Sequence, residues 1–259
     1  PEAIEDQPNQ KTVLAELFTG SECRPCQAAD IAYDKLLERY DLSELTVLEY
    51  HLNIPRPDPM ANKDTELRAQ FYGVNSTPTS VIDGTNVVNS GGQGIAAKSK
   101  FAVYADAIDR ILNTSAEAAV KVSARIRRNK ISLAVSASVG KVRKSYKLRI
   151  VLAEDGMQYQ GANGISEHRF VVRKMIRNAG GTSFNAKGKA AVKDAFAVSS
   201  IEDQLEKYLD SYEKKMQAPG IAYKEKKSEI DPKRLYIIAF VQDDATHKIL
   251  QSTIVKVKR

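Results

Sequence analysis

The chain has 259 residues, 42% hydrophobic and 27% charged, which suits one large domain or two ordinary ones with a real core and excludes a disordered chain. Lys and Arg total 39 against 32 for Asp and Glu, a formal charge of +7, but no compact basic block stands out. The excess therefore reads as a lysine-coated surface, and no apolar run approaches the ~20 residues of a membrane span.

The opening 1–10 is a polar tail, and the start at Pro1 in place of Met predicts a processed product whose signal peptide has been removed. "TVLAELF" (Thr12–Phe18) predicts a buried strand. Over Cys26–Tyr40, Ala29, Ala32, Tyr33, Leu36, Leu37 and Tyr40 recur at three and four, one helical stripe. "LTVLEYHL" (Leu45–Leu52) is a second strand, and "IPRPDPM" packs three prolines into a loop. Asn62–Gly73 reads as a helix closed by Gly73. Thr79–Asn89 reads as two short strands around Asp83-Gly84, a hairpin signal. "GGQG" breaks the chain before a long amphipathic helix, Ile95–Leu112. This order predicts an α/β domain over 11–114 with a mixed sheet.

Beyond residue 117 the pattern changes to strands: Ala118–Ile126, Lys130–Gly140, Tyr146–Asp155, His168–Ile176, Leu235–Asp244 and Ile249–Lys258. They predict an all-β, Ig-like sandwich over 117–259. A helix, Ser200–Met216, and a polar loop form an insertion at about 199–233, with Ser200 and Asp203 as a capping box.

The two cysteines of the chain, Cys23 and Cys26, stand two residues apart after a strand and before a helix. A thiol attacks as thiolate, and a helix N-terminus favours the anion. Arg24 adds positive charge there, and Pro25 presets φ for a first helical turn. The spacing supplies an attacking and a resolving thiol for thiol–disulfide exchange. Three other readings stay open: a zinc site, a purely structural disulfide and a non-catalytic pair. Structural zinc wants four ligands, whereas His51, His168 and His247 lie far apart in sequence, so no metal or other cofactor is expected. His51 reads as a strand-end polar residue that has a second reading near the site; His168 and His247 show no partner pattern. "RIRRNK" and "KVRKSYKLR" lack aromatics interleaved for base stacking. They are expected to face solvent, with no nucleic acid bound.

"YGVNSTPT" (Tyr72–Thr79), downstream of the C-x-x-C, resembles the cis-proline segment of the thioredoxin superfamily. The resemblance implies that Pro78 is cis and lies against the disulfide, and that Thr77 pairs with a substrate chain. It also implies that Glu16, an acid on the preceding strand, helps to deprotonate the second thiol. A strand face that meets water is the alternative for Glu16, which stands one residue further from the first Cys than in thioredoxin itself. "ELFTGSECRPC", with "LRIVLAEDGMQYQGANG" and "HRFVVRKMI", resembles a narrower group, the exported outer-membrane-protein-28 family with its Ig-like second domain. The expected function is a thiol–disulfide oxidoreductase of the cell envelope. Cys23, Cys26, Pro78 and Glu16 would be catalytic, and Thr77, Arg24 and Pro25 would meet thiol- or disulfide-bearing clients. The alternative is an envelope scaffold whose sandwich binds a protein or glycan. A cytoplasmic reductase requires that the gene encode no signal peptide.

Overall fold

The computed structural model of the protein describes residues 10–89, 91–216 and 222–259. The expected tail lies outside the described residues except for Gln10, which bridges Ser115. The first half runs β1 (Val13–Thr19), α1 (Gln27–Arg39), β2 (Leu45–His51), α2 (Lys63–Tyr72), β3 (Thr79–Ile82), β4 (Asn86–Val88) and α3 (Ala97–Leu112). The second half begins with β5 (Ala118–Arg127), β6 (Lys130–Val139) and β7 (Tyr146–Glu154). It continues through β8 (Met157–Gln158), β9 (Glu167–His168), β10 (Val171–Met175), β11 (Thr182–Ser183) and β12 (Lys189–Ala197). α4 (Val198–Met216), β13 (Leu235–Asp243) and β14 (Ile249–Lys256) complete it.

The fold is mixed α/β, built on one large sheet. β1 pairs β2 in parallel and β3 antiparallel, and the Asp83-Gly84 turn, with φ of 51° and 80°, joins β3 to β4. The sheet does not stop at the middle of the chain. β10 joins β2 in parallel and is followed by β7, β13 and β14, which are antiparallel neighbours. The other strands expected of a sandwich, β5 and β6, form a separate three-stranded sheet with β12. β12 escaped the sequence reading because its alternating buried positions are the small Ala190 and Val192 in an alanine-rich run.

Two cores follow from strand alternation. Leu148, Ile150 and Leu152 of β7 and Ile237, Ala239 and Val241 of β13 face the core shared with β5, β6, β12 and α4. Val151, Ala153, Ile238 and Phe240 face the core shared with β1, β2, α1 and α3. Burial on both faces explains the near-continuous apolar runs of β7 and β13. α4 starts two residues before the expected cap, and the Ser200 hydroxyl donates back to the Ala197 carbonyl. Arg149, expected to face solvent, is instead buried and paired with Asp244.

Candidate functional site

Cys23 precedes a 3-10 turn, Arg24–Cys26, that runs into α1, with Pro25 in its first positions. The Cys26 N–H donates to the Cys23 carbonyl, which brings the thiols to one side of the turn. They form a disulfide with Cα atoms 5.3 Å apart. Cys23 is 1% and Cys26 0% exposed, whereas Arg24 and Pro25 are exposed beside them.

Two segments enclose this turn. On one side, the Gly92 N–H donates to the Pro25 carbonyl and the Ala28 N–H to the Gly92 carbonyl. A Cβ on Gly91 would lie 2.6 Å from the Pro25 Cβ and 3.3 Å from the Pro78 Cδ. Only glycine fits there, and the contact places Pro78 next to the turn. The Thr77–Pro78 bond is cis, and the half-buried Thr77 donates its hydroxyl to the Ile54 carbonyl. On the other side, the loop 161–164 from the second half lies along the segment leading into the turn. The Asn163 N–H donates to the Ser21 carbonyl at 2.9 Å, and a Cβ on Gly161 would stand 2.3 Å from that oxygen. The "GGQG" break and the "GANG" run are thus parts of the site that periodicity could not reveal.

Glu16 is not where the resemblance puts it. Side chains alternate along β1. Thr19 bonds Asp30 on α1, whereas Glu16 bonds Arg68 on α2, so Glu16 faces away from the helix that carries the disulfide. Both of its oxygens accept from Arg68, at 2.7 and 2.8 Å, and one accepts from the Tyr72 hydroxyl. Gln242 accepts a third Arg68 donor. A carboxylate so occupied is a structural counter-ion, and the longer spacing to Cys23 is the reason it falls on this face.

The acid on the disulfide side is Asp30, which sequence reasoning missed. It sits four residues after Cys26, hence on the same helix face, and helical side chains lean back toward the N-terminus. It is buried; Thr19 donates to one oxygen at 2.8 Å and Asn163 to the other at 3.1 Å. Burial, and then the neighbouring charge of Glu49, hold its carboxyl well above the usual range.

Behind Asp30 the polar network continues. Asp58 accepts from the Ser21 N–H and hydroxyl and lies 3.1 Å from the His51 Nδ1. His51, expected as a strand-end residue, is wholly buried and lies against His168, with ring centroids 4.9 Å apart. Burial opposes charge on His51, but Asp58 and Glu49 outweigh it and raise its pKa to about 10. Burial and the charge of His51 push His168 down to about 4. Asp58 is held low despite burial, first by His51 and then by the N–H groups of Met60 and Ser21. His247 stands apart, its ring against Phe71 and Tyr72.

Beside the turn, a cleft of about 460 Å³ opens between Glu22, Arg56, Pro57, Tyr159 and Tyr223. The disulfide, the cis-proline and the buried acid occur together at one end of the large sheet.

The fold is similar to that of HBP35 of Porphyromonas gingivalis. The two chains superpose with a TM-score of 0.62 at 16% identity, over 96% of this chain and 76% of that one. A domain of the outer membrane lipoprotein Omp28 from the same organism aligns with 55% of this chain and 89% of its own length, at 16% identity and a TM-score of 0.33. No family model matches the sequence, and no curated protein matches it. Among the described residues, no helix is long and apolar enough to cross a membrane.

Proposed function

We propose that the protein is a thioredoxin-like thiol–disulfide oxidoreductase acting outside the cytoplasm. The observation that carries the reading is the Cys23–Cys26 disulfide at the head of α1, next to a cis-proline and above a buried acid. Disulfides persist in oxidising compartments, which supports the cell envelope as its place, as does the resemblance of "ELFTGSECRPC" to an exported family.

In this reading an external thiolate attacks the Cys23 Sγ, forming a mixed disulfide. The bond to Cys26 breaks, and the Cys26 sulfur leaves with the electron pair. Asp30, whose carboxyl burial holds above the usual range, supplies the proton that Cys26 takes up. A second thiolate then attacks the client sulfur and releases Cys23 as thiolate. Two client thiols become one disulfide, and the protein gains two electrons. The reverse sequence reduces a client. Arg24, Pro25 and Thr77 flank the attacked sulfur, and the cleft beside Glu22 receives the client chain.

A Cys26→Ser variant keeps the attacking thiol and removes the resolving one. Incubated with a disulfide-bearing peptide, it should accumulate a mixed disulfide at Cys23, read as a mass adduct that dithiothreitol removes. The wild type should resolve it. A folded variant that forms no adduct in hours would overturn the reading.

A further inference from the structure

β2 and β9 come from different halves of the chain, yet they bring Glu49, His51 and His168 together. Glu49 and His51 are two apart on β2 and so share one face. One donor atom from each of the three residues lies within 4.8 Å of the others, and all three residues are buried. The Glu49 Oε2 and His51 Nε2 are 3.6 Å apart. Among the described residues that Nε2 has no hydrogen-bond partner, although its residue is 0% exposed. An orphaned polar atom at such depth is costly and calls for an explanation.

The surrounding groups are arranged as a metal site needs. His51 Nδ1 is fixed by Asp58 at 3.1 Å, and His168 Nε2 by the Tyr159 carbonyl at 3.0 Å. A histidine that gives one N–H to a carboxylate or carbonyl holds its other nitrogen as a lone-pair donor, the usual outer-shell pattern of metal-ligating histidines. The Arg169 N–H donates to Glu49 Oε2 at 3.0 Å and holds the carboxylate in place. The charges also balance: a divalent cation would face Glu49 directly and Asp58 through His51.

We propose that Glu49, His51 and His168 form a buried site for a divalent transition cation of the zinc type. Two imidazoles and one carboxylate are a known zinc donor set. Bonds of ~2.0–2.1 Å in a tetrahedron separate donors by about 3.3 Å. The Glu49–His51 pair, at 3.6 Å, is near that separation already, and the widest gap in the set, at most 4.8 Å, closes by up to about 1.5 Å. The ion ties β9 to β2 and, through Asp58, steadies the Ser21 end of the disulfide loop. The expectation of no metal rested on the four ligands of a structural zinc site and on the distance between the histidines in sequence; the fold removes that distance for His51 and His168.

The test uses the full chain, oxidised, treated with chelator and dialysed, with Zn²⁺ alone as the probe. Titration against a chromophoric chelator should show one ion bound per chain at micromolar or lower concentration, with a raised melting temperature. X-ray absorption at the zinc edge should show nitrogen and oxygen neighbours and no sulfur. His168→Gln should abolish binding, and Asp58→Asn should weaken it by about 10- to 100-fold. A Cys23→Ser/Cys26→Ser chain should bind as the wild type does. If His168→Gln or Asp58→Asn fails to fold, the absorption spectrum of the wild type decides alone. Sub-stoichiometric binding, sulfur ligation or binding indifferent to His168→Gln would overturn the proposal. None of these readouts depends on the redox activity of the disulfide.

Discussion

Gly161→Ala probes what keeps Cys23 covered. The added Cβ would stand 2.3 Å from the Ser21 oxygen, 2.6 Å from its carbonyl carbon and 2.8 Å from its Cβ. Ordinary contacts are ~3.5 Å or longer, so the loop 161–164 must retreat by about an ångström. Two of the three obstacles are backbone atoms that no side-chain rotation clears. Overpacking of this kind costs ~1–3 kcal/mol, and the lost Asn163–Ser21 bond adds ~0.5–1.5 kcal/mol. A bias of about 3 kcal/mol toward the open loop corresponds to reduction of the disulfide faster by on the order of 100-fold. The assay follows reduction by dithiothreitol, with alkylation and mass spectrometry as readout, next to a urea titration. Leu133→Ala in β6 is the control: it removes a buried side chain from the other core at ~2–5 kcal/mol without touching the loop. Unchanged reduction in Gly161→Ala would refute the idea that this loop is the cover. Equal acceleration by Leu133→Ala would show that reagent enters by global unfolding.

Arg68→Met takes the guanidinium from the buried Glu16 and leaves it the Tyr72 hydroxyl, which should cost ~3–5 kcal/mol. For a chain of this size that lowers the melting temperature by about 10 °C, and Glu16→Gln added to it should restore most of the loss. Calorimetry of the single and double variants measures both. The pH dependence of stability should change in Asp30→Asn. A carboxyl whose folded pKa is raised contributes stability below its unfolded pKa and loses it as pH rises through the folded value. The variant should therefore gain relative to wild type between pH 5 and pH 8 in urea titrations, and the hydrogen bond lost to Asn163, being common to both pH values, cancels. A difference of zero or opposite sign would remove Asp30 from the proton role.

The sequence carried the parts of the site that are local. Cys23, Cys26 and the stripe of α1 are fixed by spacing within one strand–helix unit, and Pro78 stands in a short run with its own signature. Glu16 was read on the right strand and the wrong face, because one residue of extra spacing inverts a strand's side. Asp30 was invisible: a lone acid in an amphipathic helix reads as solvent-facing until Thr19 and Asn163 are seen to bury it. His51 and His168 are joined only through the fold. The same holds for β10, whose sequence says nothing about pairing with β2. Strand periodicity marks which residues are covered, not which strand covers them.

The two ends of the chain are sewn together. Lys11 donates to the Ile249 carbonyl, Thr12 to the Gln251 side chain, and Ser252 to the Thr12 carbonyl. With β10 beside β2, this gives the first half neighbours from far along the chain. Such distant pairings slow folding. During synthesis, then, the dithiol emerges before the loop that packs on Ser21 and before the strands that brace the first half. A chain not yet closed by these contacts leaves open a cysteine that the folded protein buries.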